Sequence, residues 1–77
     1  MMPLALVAEG EEVRLVAIRG GRGMRKRLAD LGLNLGMTYR VVRKCPDGPL
    51  ILAVKESRLA LGWGMALKVM VELTSSI

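Results

Sequence analysis

Four cations that stand close together are the side chains best suited to chemistry in this chain. Arg22, Arg25, Lys26 and Arg27 fall within six positions, in a sequence of 77 residues with twelve Lys and Arg, seven Asp and Glu, and a formal net charge of +5. Such a run is either a solvated helix face or a patch that attracts an acidic partner and speeds association. The composition leaves both interpretations open.

Two anion-binding functions fit the sequence less well. Proteins that bind single-stranded nucleic acid stack bases on aromatic side chains, and Tyr39 and Trp63 are the only aromatic residues here. The glycine-rich segment 20–23 also lacks the Lys and the Ser or Thr that a phosphate-binding loop needs. We therefore expect no nucleic-acid partner and no nucleotide site.

Catalytic and metal-binding side chains are scarce. The chain has no His and one Cys, Cys45, which excludes Ser–His and Cys–His pairs and zinc sites built from His and Cys. The six Met are soft ligands, but their positions fit packing better than copper binding. We expect no catalytic residue, no dedicated metal site and no cofactor. Weak binding of a divalent ion is left to the carboxylates Glu9, Glu11, Glu12, Glu56 and Glu72.

Apolar residues near turns provide further candidates for a contact surface. Trp63 lies between two glycines and either plugs the barrel end or stands out as an anchor for a partner. The turn at residues 33–37 places Leu33, Leu35 and Met37 close together after the basic run. We predict that these residues, with Arg25, Lys26 and Arg27, contact a partner.

The elements that must position these residues are short. The apolar spacing predicts a helix over residues 24–31, with Met24, Leu28 and Leu31 on its buried face and a left-handed cap at Gly32. Alternation and turn residues predict five strands and a frayed tail at residues 74–77. The predicted strands cover residues 13–19, 38–44, 50–55, 58–61 and 67–73. Short, evenly spaced strands indicate an all-β fold, a small barrel with one short helix after its first strand.

The sequence resembles the FeoA family along nearly its whole length. Residues 28–37 match the family segment R-L-x-x-L-G-[IL]-x-P-G-x, with Leu35 in place of the usual Pro. Further matches are Gly10, residues 18–21, the Gly48-Pro49 turn, residues 59–62, and Ala66, Val69 and Val71 near the end. The usual Gly after the third strand is replaced by Glu56 or Ser57.

The resemblance implies an SH3-like barrel and a function. We expect one domain over residues 1–77, with a core at about 4–73, acting as a cytoplasmic, non-enzymatic accessory protein of ferrous iron uptake. The implied partner is the cytosolic GTP-binding portion of an FeoB-type transporter, through which the chain would reach the membrane. Alternatives are a module that senses a divalent metal ion and a small nucleic-acid-binding barrel. Nothing in the chain resembles a signal peptide or a membrane span.

Overall fold

The protein folds as a six-stranded antiparallel sheet that carries one helix of nine residues. The computed structural model describes residues 1–74. The prediction of a frayed tail at residues 74–77 is wrong for Thr74, whose amide donates to the carbonyl of Glu12 at 3.1 Å and whose hydroxyl donates to Glu12 Oε1 at 3.0 Å; residues 75–77 lie outside the described range. The strands are β1 (Met2–Pro3), β2 (Glu12–Ile18), β3 (Thr38–Lys44), β4 (Leu50–Val54), β5 (Ser57–Leu61) and β6 (Val69–Leu73). The helices are α1 (Arg22–Asp30), α2 (Trp63–Ala66) and a 3-10 turn at Leu4–Leu6.

The strand order is β1-β6-β2-β3-β4-β5, so β2 lies near the centre of the sheet. Its first residues pair with β3, and a register shift between Leu15 and Ala17 marks a bulge in its pairing with β6. Because a bulge bends a strand and increases its twist, β2 can contribute to both halves of a curled sheet.

Alternating apolar side chains fill the inside of this sheet, as the sequence predicts. Val13 and Leu15 of β2 are buried, as are Tyr39 and Val41 of β3, whereas Thr38, Arg40 and Val42 are exposed. Leu28 is the one residue of α1 that is fully buried. The core is almost entirely aliphatic, and among the described residues it includes no buried polar or charged side chain.

Five predicted elements differ by one or two residues in their bounds, namely β2, α1, β4, β5 and β6, and one strand was not predicted. A sixth strand, β1, was missed because it has only two residues and depends on pairing with Met70 and Val71 of β6. The helix begins two residues earlier than predicted. The last strand begins at Val69 rather than residue 67, because Leu67 lies in the turn that ends α2 and is exposed.

Leu31 and Leu33 exchange their predicted roles at the end of α1. Gly32 has φ +100, and the amides of Gly32 and Leu33 donate to the carbonyls of Ala29 and Leu28 at 2.9 and 2.8 Å. This pattern is a Schellman motif, which confirms the predicted left-handed cap. The motif reverses the chain so that Leu33 joins Leu28 in the core, with 1% of Leu33 exposed. Leu31 is left 47% exposed, so the prediction that it is buried is wrong.

Helix length also bears on the membrane prediction. Across residues 1–74, none of the helices combines the length and the apolar character needed to cross a bilayer.

Candidate functional site

Two charges stand at ends of α1 where the helix dipole opposes them. Its N-cap, Gly21, offers no side-chain cap, and its first turn holds no acidic residue. Arg22 is at the first helical position, where the dipole disfavours cations, and Asp30 is at the last, where it disfavours anions, whereas Arg27 lies in the last turn, where a cation is favoured. Each misplaced charge costs roughly 0.3–1 kcal/mol near a helix end. Helix stability therefore does not account for the positions of Arg22 and Asp30.

No carboxylate within residues 1–74 pairs with the cations of α1. The salt bridge found in this part of the chain joins Arg14 of β2 to Glu72 of β6 across the sheet. Arg14 Nε also donates to Glu72 Oε1 at 3.0 Å, and the guanidinium lowers the pKa of Glu72. Arg25, Lys26 and Arg27 remain exposed to solvent. Their charge is available to an incoming acidic surface.

A loop with a fixed shape follows α1. Tyr39 is buried in the core, and its hydroxyl donates to the carbonyl of Gly32 at 2.7 Å while accepting from the amide of Asn34 at 2.9 Å. The middle of β2 fixes the other end of the loop, because Leu15 exchanges two backbone hydrogen bonds with Gly36 and Met37. The loop at residues 31–37 is thus held from both sides, and its exposed side chains are preorganised.

Three large apolar side chains of this loop remain outside the core. Leu31 is half exposed, and Leu35 and Met37 are 44% and 46% exposed. We call Arg25, Lys26 and Arg27, together with Leu31, Leu35 and Met37, the α1 surface. Of the residues predicted to contact a partner, Leu33 does not belong to it, because the Schellman motif turns its side chain into the core.

A second exposed apolar region surrounds Trp63. Met65 of the same short helix packs against the core, and Ala66 is buried. Trp63 is 49% exposed, and the Nζ atom of Lys44 lies 5.9 Å from the centroid of its ring. A cation at this distance from an indole ring is attracted to the ring face.

Distant segments meet around α2. The 3-10 turn packs beside α2 and presents Leu6, which is 61% exposed. Leu67 caps α2 and is also exposed, and the carbonyl of the next residue, Lys68, accepts a hydrogen bond of 2.7 Å from the amide of Arg19. We call this second region the α2 surface. It consists of the apolar residues Leu6, Trp63 and Leu67 and the cations Arg19, Lys44 and Lys68.

Trp63 and the loop at residues 31–37 lie at opposite ends of β3, whereas Arg19 of the α2 surface is separated from α1 by only Gly20 and Gly21. The loop of the α1 surface leads into Thr38, whereas Lys44 at the other end of the strand reaches over Trp63. A strand of seven residues spans about 20 Å. The predicted contact residues are therefore not brought into one cluster, because Trp63 is remote from Leu35 and Met37.

The sequence pattern indicated most of the α1 surface but only Trp63 of the α2 surface. Arg19 and Lys68 were missed because only the pairing of β2 with β6 brings them together. The exposure of Leu6 could not be predicted from the sequence, since it depends on where the 3-10 turn packs. The glycines on either side of Trp63 were the one usable indication of this region.

Small-molecule and metal sites are not evident in residues 1–74. This part of the chain encloses no cavity that would hold a ligand. It also brings together no group of three or more His, Cys, Asp or Glu side chains that could hold a metal ion.

Comparison with known proteins identifies the family. The FeoA domain model matches residues 2–73, which is nearly the whole sequence. The chain belongs to the FeoA family. Its similarity to a curated protein of Methanocaldococcus jannaschii, named "Putative Fe(2+) transport protein A", is 44% identity over 72 residues, covering 94% of this chain and 87% of the relative.

Solved structures of the family share the fold. A crystal structure of the iron uptake regulatory protein FeoA matches with a TM-score of 0.84 at 36% identity, covering 94% of this chain and 95% of that one. The solution structure of FeoA from Chlorobium tepidum matches with a TM-score of 0.84 at 25% identity, covering 96% of this chain and 71% of that one. These matches confirm the predicted SH3-like barrel and the association of this FeoA-family chain with ferrous iron transport.

Proposed function

We propose that this chain is a non-enzymatic, cytoplasmic accessory protein that docks on the cytosolic GTP-binding portion of an FeoB-type ferrous iron transporter. Membership of a family associated with Fe(2+) transport supports the general role. The cluster of exposed cations on α1, followed by a loop with three exposed apolar side chains, is the observation that carries the docking surface. Arg25, Lys26 and Arg27 form no salt bridge within residues 1–74, and an acidic surface on another protein would match their charge.

The α1 surface has two kinds of residue with different roles in docking. Exposed cations steer an oppositely charged partner and raise the association rate. Leu31, Leu35 and Met37 then contribute apolar area that slows dissociation, because short-range contacts act mainly on the off-rate. The loop reaches the partner already shaped by Tyr39, which lowers the entropy lost on binding.

Docking would change transport by favouring one state of the transporter. A ligand shifts a conformational equilibrium only to the extent that it binds one state better than the other. We propose that the chain binds one nucleotide or conformational state of the GTP-binding portion preferentially. Neither catalysis nor a bound cofactor is required of the chain for this role.

Stopped-flow association with the purified cytosolic portion of the transporter tests this proposal. The double variant Arg25→Glu/Lys26→Glu should slow association about tenfold or more at low salt, and the effect should shrink as salt rises. The matched control Arg43→Glu/Arg58→Glu changes the net charge equally through exposed residues of β3 and β5, and should slow association much less. Leu35→Ser should instead raise the dissociation rate.

Two outcomes would contradict the proposal. Equal association rates for the wild type and the α1 double variant at low salt would show that the cations are a solvated face. Equal slowing by the α1 variant and its control would show that only net charge matters. The GTPase rate of the cytosolic portion, measured with and without the chain, tests whether docking affects the nucleotide cycle.

A further inference from the structure

The α2 surface combines exposed apolar side chains with surrounding cations. Leu6, Trp63 and Leu67 are each at least two-fifths exposed, although they come from the 3-10 turn, α2 and its C-terminal cap. Trp63 is the single tryptophan of the chain and is half exposed, while Met65 packs against the core and Ala66 is buried. The exposed half of Trp63 is available to a partner.

The cations around these apolar residues come from three different strands and turns. Lys44 reaches over the indole ring from the end of β3. Arg19 and Lys68 are held side by side by the backbone hydrogen bond between them. Glu9 Oε1 accepts from the backbone amide of Lys44 at 2.9 Å, and within residues 1–74 none of these three cations forms a salt bridge.

This combination is chemically matched to the surface of an anionic bilayer. Indole rings favour the boundary between headgroups and acyl chains, since they have an apolar body and a polar N–H. Leucine side chains can enter the same layer, while long Lys and Arg side chains extend to lipid phosphates. Each Lys or Arg near an anionic leaflet strengthens binding about fivefold.

We propose that the α2 surface binds peripherally to an anionic lipid bilayer, with Trp63 and Leu6 entering the interfacial layer and Arg19, Lys44 and Lys68 contacting lipid phosphates. Charge complementarity favours this occupant over a second copy of the chain, because a copy carries the same positive charge of +5 and would be repelled. Leu35 and Met37 of the α1 surface, at the other end of β3 from Lys44, stay free for a protein partner.

The fluorescence of Trp63 can report on lipid binding, because no other tryptophan contributes to the emission spectrum. The full chain is mixed with vesicles of phosphatidylcholine alone, or of phosphatidylcholine with phosphatidylglycerol, and the emission maximum and the bound fraction after sedimentation are measured. We expect a blue shift and binding with the anionic vesicles only. Lipids brominated near the headgroup should quench the emission.

Matched variants separate a specific surface from general attraction by net charge. Lys68→Glu should weaken vesicle binding about 25-fold, which is two charge units at about fivefold each. Arg58→Glu makes the same charge change on β5 outside the α2 surface and should weaken binding far less. Leu6→Ser should weaken binding about tenfold, whereas Leu35→Ser on the α1 surface should leave it unchanged.

Several results would overturn the proposal. Equal weakening by Lys68→Glu and Arg58→Glu would show non-specific attraction, and binding without a blue shift would show that Trp63 stays in water. A blue shift that grows with protein concentration in the absence of vesicles would assign the α2 surface to self-association. If Trp63→Ala weakened the complex with the transporter's cytosolic portion in the absence of lipid, the surface would belong to a protein contact.

The vesicle assay contains no transporter, so its failure and that of the proposed docking are distinguishable. Loss of vesicle binding would leave the stopped-flow comparison of α1 variants unaffected. A failed docking experiment would equally leave lipid binding by the α2 surface intact.

Discussion

The two exposed surfaces of this protein are built in different ways. The α1 surface comes from one continuous stretch, residues 22–37, in which a helix is followed by a loop held by Tyr39. The α2 surface is assembled from the 3-10 turn, α2 and the ends of β2, β3 and the turn before β6. Both place cations beside exposed apolar side chains, but only the first could be recognised from neighbouring residues in the sequence.

The difference has a consequence for stability. The α1 surface depends on a helix that has no side-chain N-cap and no acidic residue in its first turn, and whose only fully buried side chain is Leu28. The α2 surface depends on Met65 and Ala66, which pack against or within the core. The α1 surface should therefore be lost by local changes that leave the α2 surface in place, and Trp63 emission can report on the latter.

Leu28→Ala should have the largest effect. Removing a fully buried leucine costs about 2–5 kcal/mol in unfolding free energy, because a cavity replaces its contacts. The urea or guanidinium midpoint should fall sharply, and hydrogen exchange in α1 should accelerate more than exchange around α2. Leu31→Ala is the matched control in the same segment. It should change the unfolding free energy by less than about 0.5 kcal/mol, because Leu31 is exposed. Similar midpoints for the two variants would contradict the assigned faces of α1.

Gly32→Ala should come next, with a loss of about 1–3 kcal/mol. An alanine there would adopt φ +100, which L residues rarely do, and its Cβ would lie 3.0 Å from Val54 Cγ1. Gly23→Ala, within α1, should change stability in the opposite direction. No heavy atom lies within 4 Å of the added Cβ, and replacing a helical glycine stabilises by roughly 0.5–1 kcal/mol. A thermal midpoint that Gly32→Ala leaves unchanged or raises would refute this account of the Schellman turn.

Tyr39→Phe should cost about 1–2 kcal/mol, because the loop loses its hydrogen bonds to the phenolic hydroxyl. The amide of Asn34 should exchange faster with solvent, and docking through Leu35 and Met37 should weaken. Vesicle binding by the α2 surface should not change, since Tyr39 is at the opposite end of β3 from Lys44. Equal losses in the two binding assays would indicate a general loss of folding instead.

The smallest effect should come from the exposed Arg14–Glu72 pair. Because Arg14 lowers the pKa of Glu72 in the folded state, the stability it contributes is present above the ordinary glutamate pKa and is lost as pH falls through the lower, folded value. Urea midpoints measured across the acid range should show a slightly flatter pH dependence for Glu72→Gln. Neither surface includes this pair, so docking and vesicle binding should remain constant between neutral and mildly acidic pH. A marked change in either assay would mean that another titratable group takes part.

The sequence by itself determined much of the barrel. Alternation of apolar residues identified five of the six strands and the buried faces of β2 and β3, because a pleated strand has a local period of two. Gly32 marked the end of α1, since only glycine readily adopts the left-handed conformation that the cap requires. The cations of the α1 surface were equally visible because they are close together along the chain.

Features that depend on contacts between distant parts of the chain were decided by the tertiary structure alone. The helical spacing favours Leu31 as a core residue, but the chain reverses at Gly32 and places Leu33 there instead. The two-residue strand β1 exists only because β6 offers it a pairing edge. Arg19 meets Lys68, and Lys44 reaches Trp63, through contacts between residues far apart in sequence. Local periodicity contains no information on such contacts, since they depend on the order and bending of strands in the closed sheet.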